Sequence, residues 1–265
     1  LRRRQRQMCI RDRGKTDAVL SVAIHFGLPT FFLTPKISQH KIAVNVIEGI
    51  EKKFGLGLKA VDVIGKKYMC VDPHMRLEKE EFYEMCKKKK EKELCPFYAW
   101  AKGYSYRERI KALARIEKVE KWYFPVKIAE ELVQYCSQYT EEGYVRPLCA
   151  YEVVCELAKK ASIIICDFYH LLNPYISSIF LQKIGKSDEG SIVIIDEAHN
   201  APERVREVLS ASLSYRTVKK AIREAELLKS ILEEGGFNIV FSDTKSSVLR
   251  FVYPAEGTTG ILSIG

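Results

Sequence analysis

The feature that most constrains this chain is the stretch Ser191-Ile-Val-Ile-Ile-Asp-Glu-Ala-His-Asn200. Four consecutive β-branched residues are strand-sized and apolar throughout, as in a strand of a parallel sheet. Two carboxylates follow at once. Ligands of open α/β sheets bind beyond the carboxyl ends of the strands. Asp196 at such an end suits a magnesium ion, and Glu197 beside it suits the orientation of an attacking water in phosphoryl transfer. His199 follows two residues after Glu197. An acidic helix cap after an ordinary strand is the plainer alternative.

Other segments agree with a parallel α/β sheet. Residues 14–26 read as a helix with an apolar face of Ala18, Val19, Val22, Ala23 and Phe26, and Pro29 closes it. Residues 30–34 and 60–64 read as strands around a helix at 42–54. A helix at 151–160, a strand at 162–166, a helix at 171–182 and a buried strand at 191–196 follow. Strands alternating with helices in this way make a parallel sheet. Helical stretches are expected at 203–209 and 216–234, and mixed strand and loop in the last 30 residues. No apolar run reaches the roughly 18 residues of a membrane span, so no membrane partner is expected.

Gly14-Lys15-Thr16 opens the first helix and matches the end of a phosphate loop. The pattern GxxxxGK[ST] would need a glycine at position 9, which is Cys9. Read as half of a nucleotide-binding motif, it assigns the Lys15 ammonium to the β/γ-phosphates of ATP and the Thr16 hydroxyl to Mg²⁺. Residues 1–13, LRRRQRQMCIRDR, hold six of the 43 Lys+Arg residues and lack hydrophobic periodicity. They resemble translated sequencing-adapter DNA and are set aside as non-native, a basic nucleic-acid arm being the alternative. The rest carries 37 Lys+Arg against 33 Asp+Glu, so nucleic-acid binding must be argued from placement of charge.

Residues 65–146 form a long insertion rich in Lys, Glu, Cys and Tyr, with weak periodicity, and read as irregular. Without Cys9 the chain has seven cysteines, an odd number, which speaks against a disulfide framework. Cys70, Cys86, Cys95 and Cys149 are separated by 15, 8 and 53 residues, without a C-x-x-C pair. Four thiolates suit either Zn²⁺ or an iron–sulfur cluster, and spacing leaves the choice open. Cys155 and Cys166 read as core residues, while Cys136 is a possible substitute ligand. Lys87, Lys88, Lys89 and Lys90 are either a solvated face or a track for DNA phosphates. Tyr98, Trp100, Tyr104 and Tyr106 lie among Lys102, Arg107 and Arg109 and suit base stacking or a small core.

The sequence around the cysteines carries a resemblance. Lys66-Lys67-Tyr68-Met69-Cys70, Cys95-Pro96-Phe97-Tyr98, Cys149-Ala150-Tyr151-Glu152 and Asp167-Phe168-Tyr169-His170-Leu171-Leu172-Asn173-Pro174 resemble segments of the XPD-like helicases, a branch of superfamily 2. The order of all these elements matches, from Gly14 to about Glu234. The last segment departs from the family's form in one displaced His and one Asp. Asp196-Glu197-Ala198-His199 is then the Walker B motif.

The resemblance implies a RecA-like P-loop motor domain at residues 14–64 and 151–200, interrupted at 65–150 by an iron–sulfur domain. The start of a helical arch domain would occupy 201–265. It implies a [4Fe–4S] cluster on Cys70, Cys86, Cys95 and Cys149, with Mg²⁺ held through Thr16 and Asp196. Thr34 and Lys36, in the loop after the second strand, would touch the DNA backbone, although a plain strand-end turn explains them equally well.

The intact enzyme would hydrolyse ATP, translocate 5′ to 3′ on single-stranded DNA and unwind forked DNA in repair. The chain reads as truncated at both ends, so on its own it should bind nucleotide weakly and unwind nothing. The setting would be the cytoplasm of a prokaryote, the Lys/Glu-rich helices leaning archaeal, or the nucleus of a eukaryote. A DinG-like helicase is the nearer alternative, although its cysteines fall one early and three late. A nonenzymatic metal-bound nucleic-acid-binding module and an electron-transfer protein are the others.

Overall fold

A computed structural model describes residues 14–210, 219, 221–228, 238–241, 248–252 and 259–263. The basic segment at 1–13 lies outside them, as does most of the helix expected at 216–234. The chain divides into two units, residues 1–209 and 210–265.

In the first unit, four parallel strands form one sheet: β1 (Thr30–Thr34), β2 (Ala60–Val63), β5 (Ile163–Asp167) and β6 (Ile192–Ile195). Their order is β2-β5-β1-β6. β1 is buried along its whole length, as a Thr-Phe-Phe-Leu-Thr strand covered on both faces must be. Its side chains alternate between two cores. Phe31 and Leu33 join Val61, Val63, Ile164 and Cys166 on one face. Phe32 joins Ala60, Ile163 and Ile165 on the other, against α1 (Lys15–Phe26) and α2 (His40–Phe54). Fully burying a side chain such as Phe31 contributes about 2–3 kcal/mol.

Two expectations for this unit are corrected. The strand ending in Asp196 was expected to be buried, yet β6 pairs on one side only among the described residues. Val193 and Ile195 are 43% and 37% exposed. The buried face of α1 is Leu20 and Ala23, while Ala18, Val19, Val22 and Phe26 are exposed. The apolar residues of α1 occupy more than one face, so periodicity alone selected the wrong stripe.

The insertion is mostly helical rather than irregular. It holds α3 (Lys79–Glu91), α4 (Pro96–Ala101), α5 (Tyr106–Tyr123) and α6 (Ala129–Ser137), then a short hairpin of β3 (Thr140–Glu141) and β4 (Tyr144–Val145). α3 buries only Phe82. Its stability comes from local terms, including the i,i+4 pairs Lys88–Glu84 and Lys87–Glu91. α5 starts with a capping box, in which the Ser105 hydroxyl accepts from the Glu108 N–H and Glu108 accepts from the Ser105 N–H. Gly103 makes that start possible. Its φ is +76°, and a Cβ there would meet the Arg109 nitrogen at 2.6 Å.

The chain returns to the sheet through α7 (Ala150–Lys160), which packs on β2. The helix expected at 171–182 is two: α8 (Tyr169–Leu172) and α9 (Pro174–Ile184). Pro174 forces the break, and the Asn173 side chain caps the second helix by accepting from the Tyr175 and Ile176 N–H groups. α10 (Ala201–Leu209) follows the Asp196 motif. In the second unit, residues 221–228 are helical. Three antiparallel strands follow there, β7 (Asn238–Phe241), β8 (Val248–Val252) and β9 (Thr259–Ser263), within the last 30 residues where strand was expected. Among the described residues no helix is long and apolar enough to cross a membrane.

Candidate nucleotide edge and cysteine centre

The ends of β1, β5 and β6 form one edge. The Asp196 N–H donates to the Leu33 carbonyl at 2.8 Å, so the residue that follows β6 is pinned at the end of β1. The Asp196 carboxylate accepts from the Glu197 N–H at 3.0 Å. Burial raises the Asp196 carboxyl above its ordinary range, while the Glu197 N–H and the Lys15 ammonium oppose this. Gly14 caps α1 in a left-handed conformation, with φ 63°. Thr16 is half-buried one residue beyond Lys15.

Glu197 itself has φ 47°, a strained conformation for a residue with a side chain. The strain turns the chain from β6 into the turn at Ala198–Asn200. Glu197 pairs with His199 Nδ1 at 3.3 Å, and His199 is largely exposed. The arrangement can hold a cation at Asp196, with the Glu197 carboxylate beside it.

At the same edge, Thr34 is fully buried and its hydroxyl donates to the Lys36 carbonyl at 3.0 Å. Thr34 thereby shapes the loop. Lys36 is exposed and makes no ion pair among the described residues. It lines a cavity of about 370 Å³ with Ser38, Tyr169 and Arg204. Sequence reading missed Tyr169 and Arg204. The one signal for Arg204 was a helix directly following the Asp196 motif.

Lys87, Lys88, Lys89 and Lys90 are all engaged. Lys89 pairs with Asp72 at 2.7 Å, Lys87 and Lys88 pair along the helix, and Lys90 sits over the Tyr98 ring at 5.4 Å. Trp100 packs against the core, with Arg115 and Arg146 over its ring at 4.7 and 4.4 Å. Tyr98 and Tyr104 face each other at 5.1 Å, and Tyr106 is 80% exposed.

The structure separates the cysteines into two groups. Cys70, Cys86, Cys95 and Cys149 are half-buried, whereas Cys136, Cys155 and Cys166 are buried in the core. Cys70 lies just past β2, Cys86 in α3, Cys95 before α4 and Cys149 before α7. The last two are joined through α4, because the Cys149 N–H donates to the Phe97 carbonyl at 3.0 Å. Burial raises the thiols of Cys70, Cys95 and Cys149, and each also feels others of the four. Backbone N–H groups of Asp72, Tyr98 and Glu152 donate to the sulfurs of Cys70, Cys95 and Cys149 and oppose that rise. Lys66 donates to Cys86. Burial works against its ammonium, but Cys86, Cys149 and Glu152 hold its pKa above the ordinary value. Cys136 lacks such donors, and burial alone pushes it up to about 12.

Among the described residues no three His, Cys, Asp or Glu side chains stand close enough to hold one ion. A single zinc would draw four sulfurs to about 3.8 Å from one another. In a cubane each thiolate binds a different iron, so the sulfurs stand further apart. Four thiols with nearby N–H donors have the chemistry of a thiolate metal centre, and zinc and an iron–sulfur cluster both remain open to them.

The DEAD_2 family model matches residues 35–218. Over 105 residues the chain is 33% identical to the general transcription and DNA repair factor IIH helicase subunit XPD/RAD3 of Saccharomyces cerevisiae, covering 40% of this chain and 12% of that protein. Over 89 residues it is 32% identical to a regulator of telomere elongation helicase 1 homolog of Anopheles gambiae, covering 33% of this chain and 9% of that one. The matched stretches thus span about a tenth of those relatives. With a parallel sheet that ends in Asp196-Glu197-Ala198-His199 and a family match over most of its length, the chain belongs to the DEAD_2 family, the XPD-like helicases of superfamily 2.

Proposed function

We propose that the chain is the nucleotide-binding motor lobe of an ATP-dependent DNA helicase and carries an inserted [4Fe–4S] domain. The observation that carries this reading is Asp196, held at the end of a parallel strand by the Leu33 carbonyl and the Glu197 N–H, with Glu197 beside it. The Lys15 ammonium would face the β/γ-phosphates, and Gly14 would let the backbone approach them. Asp196 and Thr16 would hold Mg²⁺, which supplies charge neutralisation at the phosphates when bound. Glu197 would orient the attacking water, and His199 would relay the state of the nucleotide through its contact with Glu197.

Single-stranded DNA would run past the 34–40 loop, with Lys36 contacting a phosphate and Thr34 holding the loop in shape. Lys87 and Lys88, on the exposed side of α3, are the lysines of that helix best placed to add electrostatic attraction. Cys70, Cys86, Cys95 and Cys149 would hold the cluster, which fixes α3, α4 and α7 against one another. The printed name of the yeast relative includes DNA repair, and we extend that role to this protein. We also assign it 5′-to-3′ movement on forked DNA and, should its source be eukaryotic, the nucleus.

The test is nucleotide binding followed by Mg²⁺ titration. The chain should bind Mg·ATP weakly, and Lys15→Ala should abolish the binding with the fold intact by circular dichroism. Binding unchanged by Lys15→Ala would overturn the assignment of this edge.

A further inference from the structure

Asp62 lies in the middle of β2 and is 1% exposed, an unusual place for a carboxylate. Its two oxygens serve two different parts of the protein. Oδ1 meets Nδ1 of His40, the first residue of α2, at 2.5 Å. Oδ2 accepts from the N–H of Ala129, the first residue of α6, at 2.8 Å. The Asp62 N–H donates to the hydroxyl of Tyr123, the last residue of α5, at 3.0 Å. That hydroxyl in turn donates to the Lys127 carbonyl at 2.8 Å.

His40 directly follows the loop that carries Thr34, Lys36 and Ser38, and it is also buried. Tyr123, Lys127 and Ala129 belong to the insertion. Between them the insertion lies along the sheet, where the Ala60 N–H donates to the Pro125 carbonyl at 2.8 Å. One buried carboxylate therefore ties the turn between α5 and α6 to the head of α2. Close-packed interiors transmit small displacements rather than absorb them.

We propose that Asp62, with His40 and Tyr123, is a mechanical link that passes the position of the cysteine-rich insertion to the 34–40 loop at the ligand-facing edge of the sheet. Asp62 is the hinge of the link, and His40 is a positioning residue that acts through the loop it terminates. A bare apolar contact would slide. A carboxylate bonded on both oxygens holds its two partners in a fixed relation, because breaking either bond leaves a buried polar group unpaired. The link does not depend on which ligand the edge binds, so it stands apart from the helicase reading.

Hydrogen exchange followed by mass spectrometry on the whole chain tests it. Tyr123→Phe keeps the ring and its volume but removes the hydroxyl at the insertion end. It should accelerate exchange of the amides at 36–41 about 5-fold, the cost of one lost buried hydrogen bond. In a His40→Asn background the same substitution should change those amides by less than about 2-fold, because the link is already cut. The relation is reciprocal, so His40→Asn alone should accelerate exchange at Ala129. Phe82→Leu is the control, since Phe82 is buried in α3 outside both main cores. A Tyr123→Phe effect confined to α5 and α6, multiplying effects in the double variant, or an equal response of 36–41 to Phe82→Leu would each overturn the proposal.

Discussion

The Asp196 N–H donates to the Leu33 carbonyl at 2.8 Å, the last rung between β6 and β1. That bond sets the end of β6 beside the start of the 34–40 loop. The residue assigned to magnesium and the loop assigned to DNA therefore share one backbone connection. Asp196→Asn preserves the backbone bond and removes the charge. In a protein as long as the relatives it matches, DNA-stimulated ATP turnover should fall at least about 100-fold, since metal stabilisation of phosphoryl transfer supplies several kcal/mol. Steady-state turnover at saturating Mg²⁺, beside an unchanged melting curve, is the check.

Lys36 and Lys89 make opposite predictions. Lys36 makes no ion pair among the described residues, whereas Lys89 pairs with the buried Asp72. Lys36→Ala should weaken binding of single-stranded DNA and flatten its salt dependence by about one unit of slope. Lys89→Ala should leave that slope alone and lower the melting temperature, because Asp72 loses its partner. Fluorescence anisotropy at several salt concentrations separates the two.

Arg115 is a planar fork in use on every side. Nε and Nη2 donate to Glu141 at 2.9 and 2.8 Å, Nη1 donates to the Trp100 carbonyl at 3.2 Å, and the guanidinium lies over the Trp100 ring. An ammonium cannot reproduce that geometry. Arg115→Lys should therefore cost about 2–3 kcal/mol, read from urea unfolding.

Glu141 gives the same contact a pH signature. The Arg115 hydrogen bond, with its charge, holds the Glu141 carboxyl below the ordinary range despite some burial. A carboxyl depressed in the folded state stabilises the fold above its unfolded value of about 4.3. That contribution is lost as pH falls through the depressed folded value. The gap in urea midpoint between the native chain and Glu141→Gln should be widest near neutral pH and close in acid. A gap that stays constant into acid would contradict it.

How far the sequence speaks depends on where the stabilising terms lie. β1, β5 and β6 were legible because Phe, Leu and β-branched residues run together in them. The placement of Asp196 and Glu197 at a strand end was legible because they end such a run. The edge position of β6 was not, since strand order is a long-range property. α3 to α6 looked irregular because capping, ion pairs and Lys/Glu content support them more than an apolar stripe does. The division of cysteines into four and three followed from neighbouring motifs, and the structure adds the N–H donors that spacing could not reveal. Asp62 gave no signal at all. A lone Asp in a short strand finds His40 and Ala129 only when three distant segments pack.

Metal analysis of anaerobically purified protein tests most directly the proposal that Cys70, Cys86, Cys95 and Cys149 hold an iron–sulfur cluster. The account predicts about four irons and four sulfides per chain with a visible charge-transfer spectrum, all lost in Cys95→Ser and retained in Cys136→Ser. One zinc and no iron per chain would contradict it.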